Sequence, residues 1–214
     1  MLQLNNVTIT HKKSQQVLIQ DLTLAIAKEE IVTLMGASGS GKSILLSWIL
    51  GALSNDFEAQ GNVYLNERVL NLIPINQRKI GIIFQEDTLF AHWSVGQNLA
   101  FALPANIKGR KVRRQAIEQV LEQVGLGECY ERDPATLSGG QRSRVSVLRA
   151  ILAQPQALLL DEPFAKLDQA LRAQVRAWVF EQVRALEIPV LLVTHDVEDI
   201  PKERRVVRLK DDVR

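Results

Sequence analysis

A lysine and a serine close a glycine-rich octet, Gly36-Ala37-Ser38-Gly39-Ser40-Gly41-Lys42-Ser43. Glycines let such a backbone curl until its N–H groups face inward, which is how a chain cradles phosphate oxygens. Lys42 can then reach the outer phosphates, and the Ser43 hydroxyl can hold Mg²⁺. The spacing G-x-x-x-x-G-K-[ST] is that of a P-loop. The phosphate-contacting set is expected to run from Gly36 to Ile44. Three further groups could complete a hydrolytic site. Asp161 and Glu162 end an apolar run, Gln85 ends another, and His195 follows a third. Asp161 suits the metal shell, and Glu162 can polarise an attacking water as general base. Adjacent carboxylates at a strand end are costly without a cation, which Mg²⁺ supplies. Gln85 can hydrogen-bond the water or the metal shell. His195 can donate to the terminal phosphate or position Glu162 and the water. Taken singly, each has a bland reading: a Gly/Ser turn, an acidic surface turn, a solvated glutamine, a structural histidine.

The elements that must place these groups are legible as periodicity. Ile31–Met35 before the glycine loop and Ile44–Leu50 after it read as buried strand and helix. The stretches 78–84, 157–160 and 189–194 are further apolar strands. Each ends at a candidate polar group. Apolar strands separated by helices predict a parallel sheet covered on both faces. Ligands of such sheets bind beyond the strands' carboxyl ends. All four groups are therefore expected on one edge. Residues 2–9, 17–26 and 63–65 read as strands of a small antiparallel sheet, and 205–209 as a last strand. Residues 86–136 carry no good strand and read as an all-helical insertion, with helices over about 95–102 and up to about 124. A helix over 142–153 follows, and another over 169–186 with Leu171, Val175, Trp178, Val179, Gln182, Val183 and Leu186 on one face. The basic segment 108–114 reads as a solvated helix face.

The bulk composition narrows the class. A chain of 214 residues makes one large domain with room for subdomains and a sizeable core. A net charge of +2 argues against a dedicated nucleic-acid binder. The single cysteine, Cys129, forms no intramolecular disulfide or multi-cysteine metal site and reads as a small apolar side chain. No apolar run is long enough to span a bilayer, and the N-terminus lacks a signal-peptide layout. A soluble, cytoplasmic chain is expected, with any membrane role supplied by a partner.

Leu137-Ser138-Gly139-Gly140-Gln141 adds a second glycine-bearing helix start, another anion site. With the P-loop, Gln85, Leu-Leu-Leu-Asp161-Glu162-Pro163, Leu167-Asp168 and His195, in this order and spacing, the chain resembles the ATP-binding cassette (ABC) ATPases over nearly its whole length. The resemblance implies an α/β P-loop NTPase fold: a mainly parallel core sheet, a small antiparallel β subdomain and an all-helical insertion. It implies one cassette domain over 1–214. Within it, about 1–85 hold the β subdomain and P-loop core, about 86–153 the helical subdomain with the signature, and about 154–214 the rest of the core. It also implies ATP and Mg²⁺, with Ser43, Gln85 and Asp161 on the metal. Ser138, Gly139, Gly140 and Gln141 are implied to serve the ATP of a second cassette chain. A head-to-tail dimer, expected to be a homodimer, would sandwich two ATPs. Asp168 is implied to cross the same interface.

Residues 85–98, with Leu-Phe-Ala-His-Trp-Ser-Val-x-x-Asn, resemble the ATP-binding subunits of bacterial importers, including those for thiamine, sulfate, polyamines, iron and maltose. That implies transmembrane permease subunits, an external solute-binding protein and a place on the cytoplasmic face of the inner membrane. A permease coupling helix would enter a cleft lined by Phe90 and Trp93. The likeness runs furthest to cassettes of thiamine-type uptake systems. No C-terminal regulatory domain of the kind some relatives carry is expected. Three positions depart from the family pattern. Ile44 stands where a threonine is usual, removing one hydroxyl contact. His11-Lys12-Lys13 offers no aromatic for adenine, leaving the His11 ring to stack. Ala165 replaces a common serine. The alternatives are a soluble, non-transport ABC ATPase with an assembly, scaffold or repair role, and a small-molecule kinase, which leaves Leu137–Gln141 unexplained.

Overall fold

Alternating and continuous apolar runs sort into two kinds of strand. The computed structural model describes all residues except Asp87, Lys166, Asp168, Glu203, Arg204 and 210–214, and also leaves out the side chains of Ala170 and Leu171. In chain order the elements are β1 (Leu2–His11), β2 (Val17–Ile26), β3 (Ile31–Met35), α1 (Lys42–Leu50), β4 (Phe57–Leu65), β5 (Arg68–Val69), β6 (Ile80–Ile83), α2 (Val95–Ala102), α3 (Arg110–Gln123), α4 (Gly139–Leu152), β7 (Ala157–Asp161), α5 (Gln169–Arg184), β8 (Val190–Thr194) and β9 (Arg205–Arg208). They divide into two compact units.

The first unit comprises 1–82, 156–162 and 184–214. Its alternating strands form an antiparallel sheet, β2-β1-β4-β5, and its continuous ones a sheet ordered β6-β7-β8-β3-β9. β7 with β8, β8 with β3, and β3 with β9 pair in parallel. Leu45, Leu46 and Ile49 of α1 join one core with Leu2, Leu4 and Val63 of the first sheet and Leu34, Leu159 and Leu191 of the second. A helix apolar around most of its girth is stable only when buried in this way.

β4 begins six residues before the expected Val63. Gly61 reads as a strand breaker, yet it lies in the strand at a register shift between β1 and β4. A Cβ there would lie 2.5 Å from the Asn6 carbonyl oxygen, so only glycine permits the approach. Asn71 then fills the irregularity. Its Oδ1 accepts the Val63 N–H at 3.0 Å and its Nδ2 donates to the Gly61 carbonyl at 2.9 Å. The next loop is fixed by Arg78, only 5% exposed. Its guanidinium donates to the carbonyls of Trp48, Ile49, Ile73 and Asn71 at 2.7–3.2 Å. A cation on the last carbonyls of α1 also meets the negative end of the helix dipole. Burial holds this guanidinium below its ordinary pKa.

The second unit, 83–155 and 163–183, contains α2, α3, α4 and most of α5. Val95, Leu99, Ile117, Leu121, Val145 and Leu148 form its core, with Cys129 buried as an apolar side chain and Trp178 packed against it. The basic segment is only partly a solvated face. Arg113 turns inward to donate to the carbonyls of Ala100, Pro104 and Ile107, capping the end of α2. α4 starts three residues earlier than expected. The two glycines of the signature suggest a turn, but a capping box overrides them. Ser138 Oγ accepts the Gln141 N–H at 3.3 Å, and Gln141 Oε1 accepts the Ser138 N–H at 2.9 Å.

Candidate functional site

Parallel register brings three of the expected groups to one edge. Met35 pairs with Thr194, and Asp161 pairs with Val193. The glycine loop, the two carboxylates and His195 thus leave β3, β7 and β8 at the same level. Gly41, with φ 87°, turns the loop into α1, a left-handed conformation glycine adopts at little cost. Lys42 is 5% exposed and folds back over the loop. Its Nζ donates to the carbonyls of Gly36 and Ala37 at 2.8 and 2.7 Å. Ser40 Oγ is buried inside the loop with no hydrogen-bond partner, as a loop shaped for an added polar group would leave it.

The Ser43 hydroxyl donates to Asp161 Oδ1 at 3.0 Å. Burial pushes the Asp161 carboxyl above its ordinary pKa. The Ser43 hydrogen bond opposes that, neighbouring Glu162 adds to it, and Lys42 opposes it. Among the described residues no three His, Cys, Asp or Glu side chains cluster as a complete metal site. A hydroxyl, one carboxylate and substrate phosphates are a donor set that suits Mg²⁺, which keeps several waters and takes few protein ligands. A desolvated carboxylate beside a second one is also what a dication would relieve. The residues present therefore fit the ion.

Glu162 adopts φ 44°, unusual for a side chain with a Cβ, while its N–H donates to the Val193 carbonyl at 2.9 Å. Its Oε2 lies 3.0 Å from His195 Nδ1. A carboxylate only accepts, so Nδ1 carries the hydrogen in this contact. Of the two roles open to His195 from sequence, the geometry realises the contact with Glu162.

Gln85 and the signature belong to the second unit. Gln85 is exposed, two residues past β6. Ser138 caps α4, and a Cβ on Gly139 would meet nothing closer than Leu167 Cδ2 at 3.8 Å. Packing among the described residues does not demand that glycine. Phe90 and Trp93 are 41% and 38% exposed, so they are surface residues. They pack with Phe101, which is 65% exposed, at centroid distances of 4.7 to 5.7 Å. Sequence reasoning missed Phe101; its signal was an aromatic in the last turn of α2 with no apolar helix partner. It also gave Asn98 no role. Fully buried, Asn98 accepts the Phe90 N–H at 2.8 Å and donates to the carbonyls of Phe90, Trp93 and Ser94, pinning the aromatic loop.

Of the three departures, Ile44 packs partly against the first unit's core. His11 Nδ1 accepts the Ser14 N–H at 3.1 Å, and the ring meets Phe57 edge-on at 5.3 Å. Ala165 is half-buried. Asp168 lies outside the described residues.

The profile of the ABC transporter family matches residues 19–165. The chain is 52% identical to the uncharacterized ABC transporter ATP-binding protein YnjD of Escherichia coli (strain K12), over 97% of this chain and 94% of that protein. It is 38% identical to the thiamine import ATP-binding protein ThiQ of Haemophilus influenzae (strain ATCC 51907 / DSM 11121 / KW20 / Rd), over 94% of this chain and 90% of that one. It is also 38% identical to the sulfate/thiosulfate import ATP-binding protein CysA of Synechocystis sp. (strain ATCC 27184 / PCC 6803 / Kazusa), over 85% of this chain and 50% of that longer protein. A glycine loop feeding α1, a carboxylate pair at the end of β7 and a capped signature helix are thus found in a chain that belongs to the ABC transporter family.

Proposed function

We propose that this chain is the ATP-hydrolysing subunit of an ABC importer, working as a dimer of cassettes beneath a membrane permease. The observation that carries the reading is the shared edge of β3, β7 and β8, where the phosphate loop, Asp161 and the Glu162–His195 pair lie side by side. Backbone N–H groups of residues 36–44 and Lys42 bind the ATP phosphates. Ser43 and Asp161 would hold Mg²⁺, which when bound neutralises charge on the phosphate oxygens. Glu162 takes the proton of the attacking water as the water oxygen bonds to the terminal phosphorus and the bond from that phosphorus to the bridging oxygen breaks, leaving ADP and phosphate. His195 holds the Glu162 carboxylate through its Nδ1 hydrogen. The signature residues Ser138–Gln141 serve the ATP of the second chain, so ATP joins two copies and hydrolysis releases them.

Among the described residues no helix is long and apolar enough to cross a membrane. The chain would sit on the cytoplasmic face of the inner membrane, held there by its permease. Phe90, Trp93 and Phe101 offer the aromatic surface for the permease's coupling helix. A solute-binding protein outside the membrane would complete the system. A thiamine and a sulfate import protein are equally similar to this chain at 38% identity, which singles out neither solute; solute choice would reside in the permease and binding protein. The test is size in solution with and without Mg-ATP. Glu162→Gln should become dimeric only with ATP and lose turnover by about 100-fold or more. A variant that hydrolyses ATP at the wild-type rate removes Glu162 from the base role. One that stays monomeric with ATP bound, with permease present, refutes the sandwich.

A further inference from the structure

His195 is a ring with little to hold it. It is exposed, and its polar side-chain contact is Glu162 Oε2. Packing does not fix such a ring, so the backbone on either side must. β8 is buried along its whole length and aliphatic until its last residue, Thr194. Five residues on, Asp199 is 1% exposed, although hydrolysis as described above has no use for it. A buried carboxylate is costly unless it makes hydrogen bonds that the fold or the chemistry requires.

One of its hydrogen bonds is to the residue before the histidine. Thr194 Oγ1 donates to Asp199 Oδ2 at 3.1 Å and accepts the Asp196 N–H at 3.0 Å. The second bond closes a small ring over 194–196 with His195 in the middle, the geometry of a hydroxyl-closed turn. Asp196 Oδ1 in turn accepts the Glu198 N–H at 2.9 Å, and the Asp199 N–H donates to the Asp196 carbonyl at 3.2 Å. That single 3-10 turn brings Asp199 back beneath the end of β8. A hydroxyl has one hydrogen. With it committed to Asp199, a lone pair is left aimed at the Asp196 amide. The carboxylate therefore sets the rotor, the rotor closes the turn, and the turn sets the direction in which the histidine leaves the strand.

We propose that Thr194 and Asp199 are positioning residues for His195, holding its Nδ1 on Glu162 by fixing the 194–196 turn. The inference rests on the role given above to His195, and the experiment separates the two. Thr194→Val keeps the shape and removes the hydroxyl; Thr194→Ser keeps the hydroxyl. Each is made in the full chain, with and without His195→Ala, and kcat, KM for Mg-ATP and thermal midpoint are measured. Thr194→Val should lower kcat by about 10-fold with KM within about twofold, since small misplacements of reacting groups cost that much or more. Thr194→Ser should restore kcat. On the His195→Ala background, Thr194→Val should change nothing further, because it acts through the histidine. A hydroxyl that serves folding alone gives losses that multiply across the two sites, and that result overturns the proposal. So does wild-type kcat in Thr194→Val while His195→Ala is impaired. Full activity in His195→Ala instead overturns the role of the histidine itself, and the inference with it. If Thr194→Val does not fold, Asp199→Asn carries the same cycle, with the same two outcomes deciding.

Discussion

Glu30 and Arg205 show how one pair of charges conditions the site's sheet. Arg205 on β9 donates to Glu30 Oε1 at 2.8 Å and to the Ala25 carbonyl at 2.7 Å. Burial alone would raise the Glu30 carboxyl. The hydrogen bonds from Arg205 and the Ala27 amide, with the charge of Arg205, outweigh it and hold the pKa below its ordinary value. A lowered carboxylate contributes stability above its unfolded pKa and loses it as pH falls through the folded one, which here lies below the ordinary glutamate value. The pair is partly exposed, so the contribution is about 1 kcal/mol or less. Arg205→Ala should lower stability to urea by that amount at pH 7, with the deficit shrinking toward pH 3. At the same scale, Lys42→Ala should weaken Mg-ATP binding by about 10-fold or more, read by fluorescent-nucleotide titration, because one charge-assisted phosphate contact is worth roughly 1.5–3 kcal/mol. Lys42, Ser43, Asp161 and Glu162 were legible because their chemistry follows from type and spacing. The strained φ of Glu162 and its contact with His195 were not, since both depend on strands distant in sequence.

Elements were readable where periodicity was strong, as in β3, β7 and β8, and misread where a local rule competed with a tertiary one. The start of β4 was hidden because Gly61 is a breaker by composition and a bulge in the pairing. The start of α4 was hidden because Gly139 and Gly140 disfavour helix while Ser138 and Gln141 cap it. The clamp on α2 was invisible because hydrogen bonds from a buried amide leave no periodic trace. Asn98→Ala would strip the Phe90 N–H of its partner and three carbonyls of a donor. The Phe90 and Ser94 carbonyls keep a backbone donor, but leaving the Phe90 N–H unpaired costs about 1–3 kcal/mol. A matching loss in unfolding free energy is expected, together with a blue-to-red shift of Trp93 emission as the loop loosens. Leu45→Ala, at the fully buried face of α1, should cost about 2–5 kcal/mol in the same assay.

Across the whole molecule, the family follows from motifs whose order no single element dictates, and the comparisons agree with them. Under the function proposed above, the aromatic trio is the surface offered to the permease. Three exposed rings in mutual contact are an unusual outlay of apolar surface unless something covers them. Phe101→Ser should reduce co-purification with the permease by about 10-fold or more while leaving the thermal midpoint within a few degrees, as expected of an exposed anchor. Undiminished co-purification would move the docking surface elsewhere.

Arg78 has a consequence for descent. Its donors all go to main-chain oxygens, of Trp48, Ile49, Asn71 and Ile73, so the bonds themselves ask nothing of those side chains. Residues 48, 49 and 73 are free to drift as far as their own packing allows. Gly51 is not, because a Cβ there would lie 2.6 Å from Arg78 Nε. Among related chains, positions 51 and 78 should therefore be inherited as one character: glycine with arginine, or both replaced together.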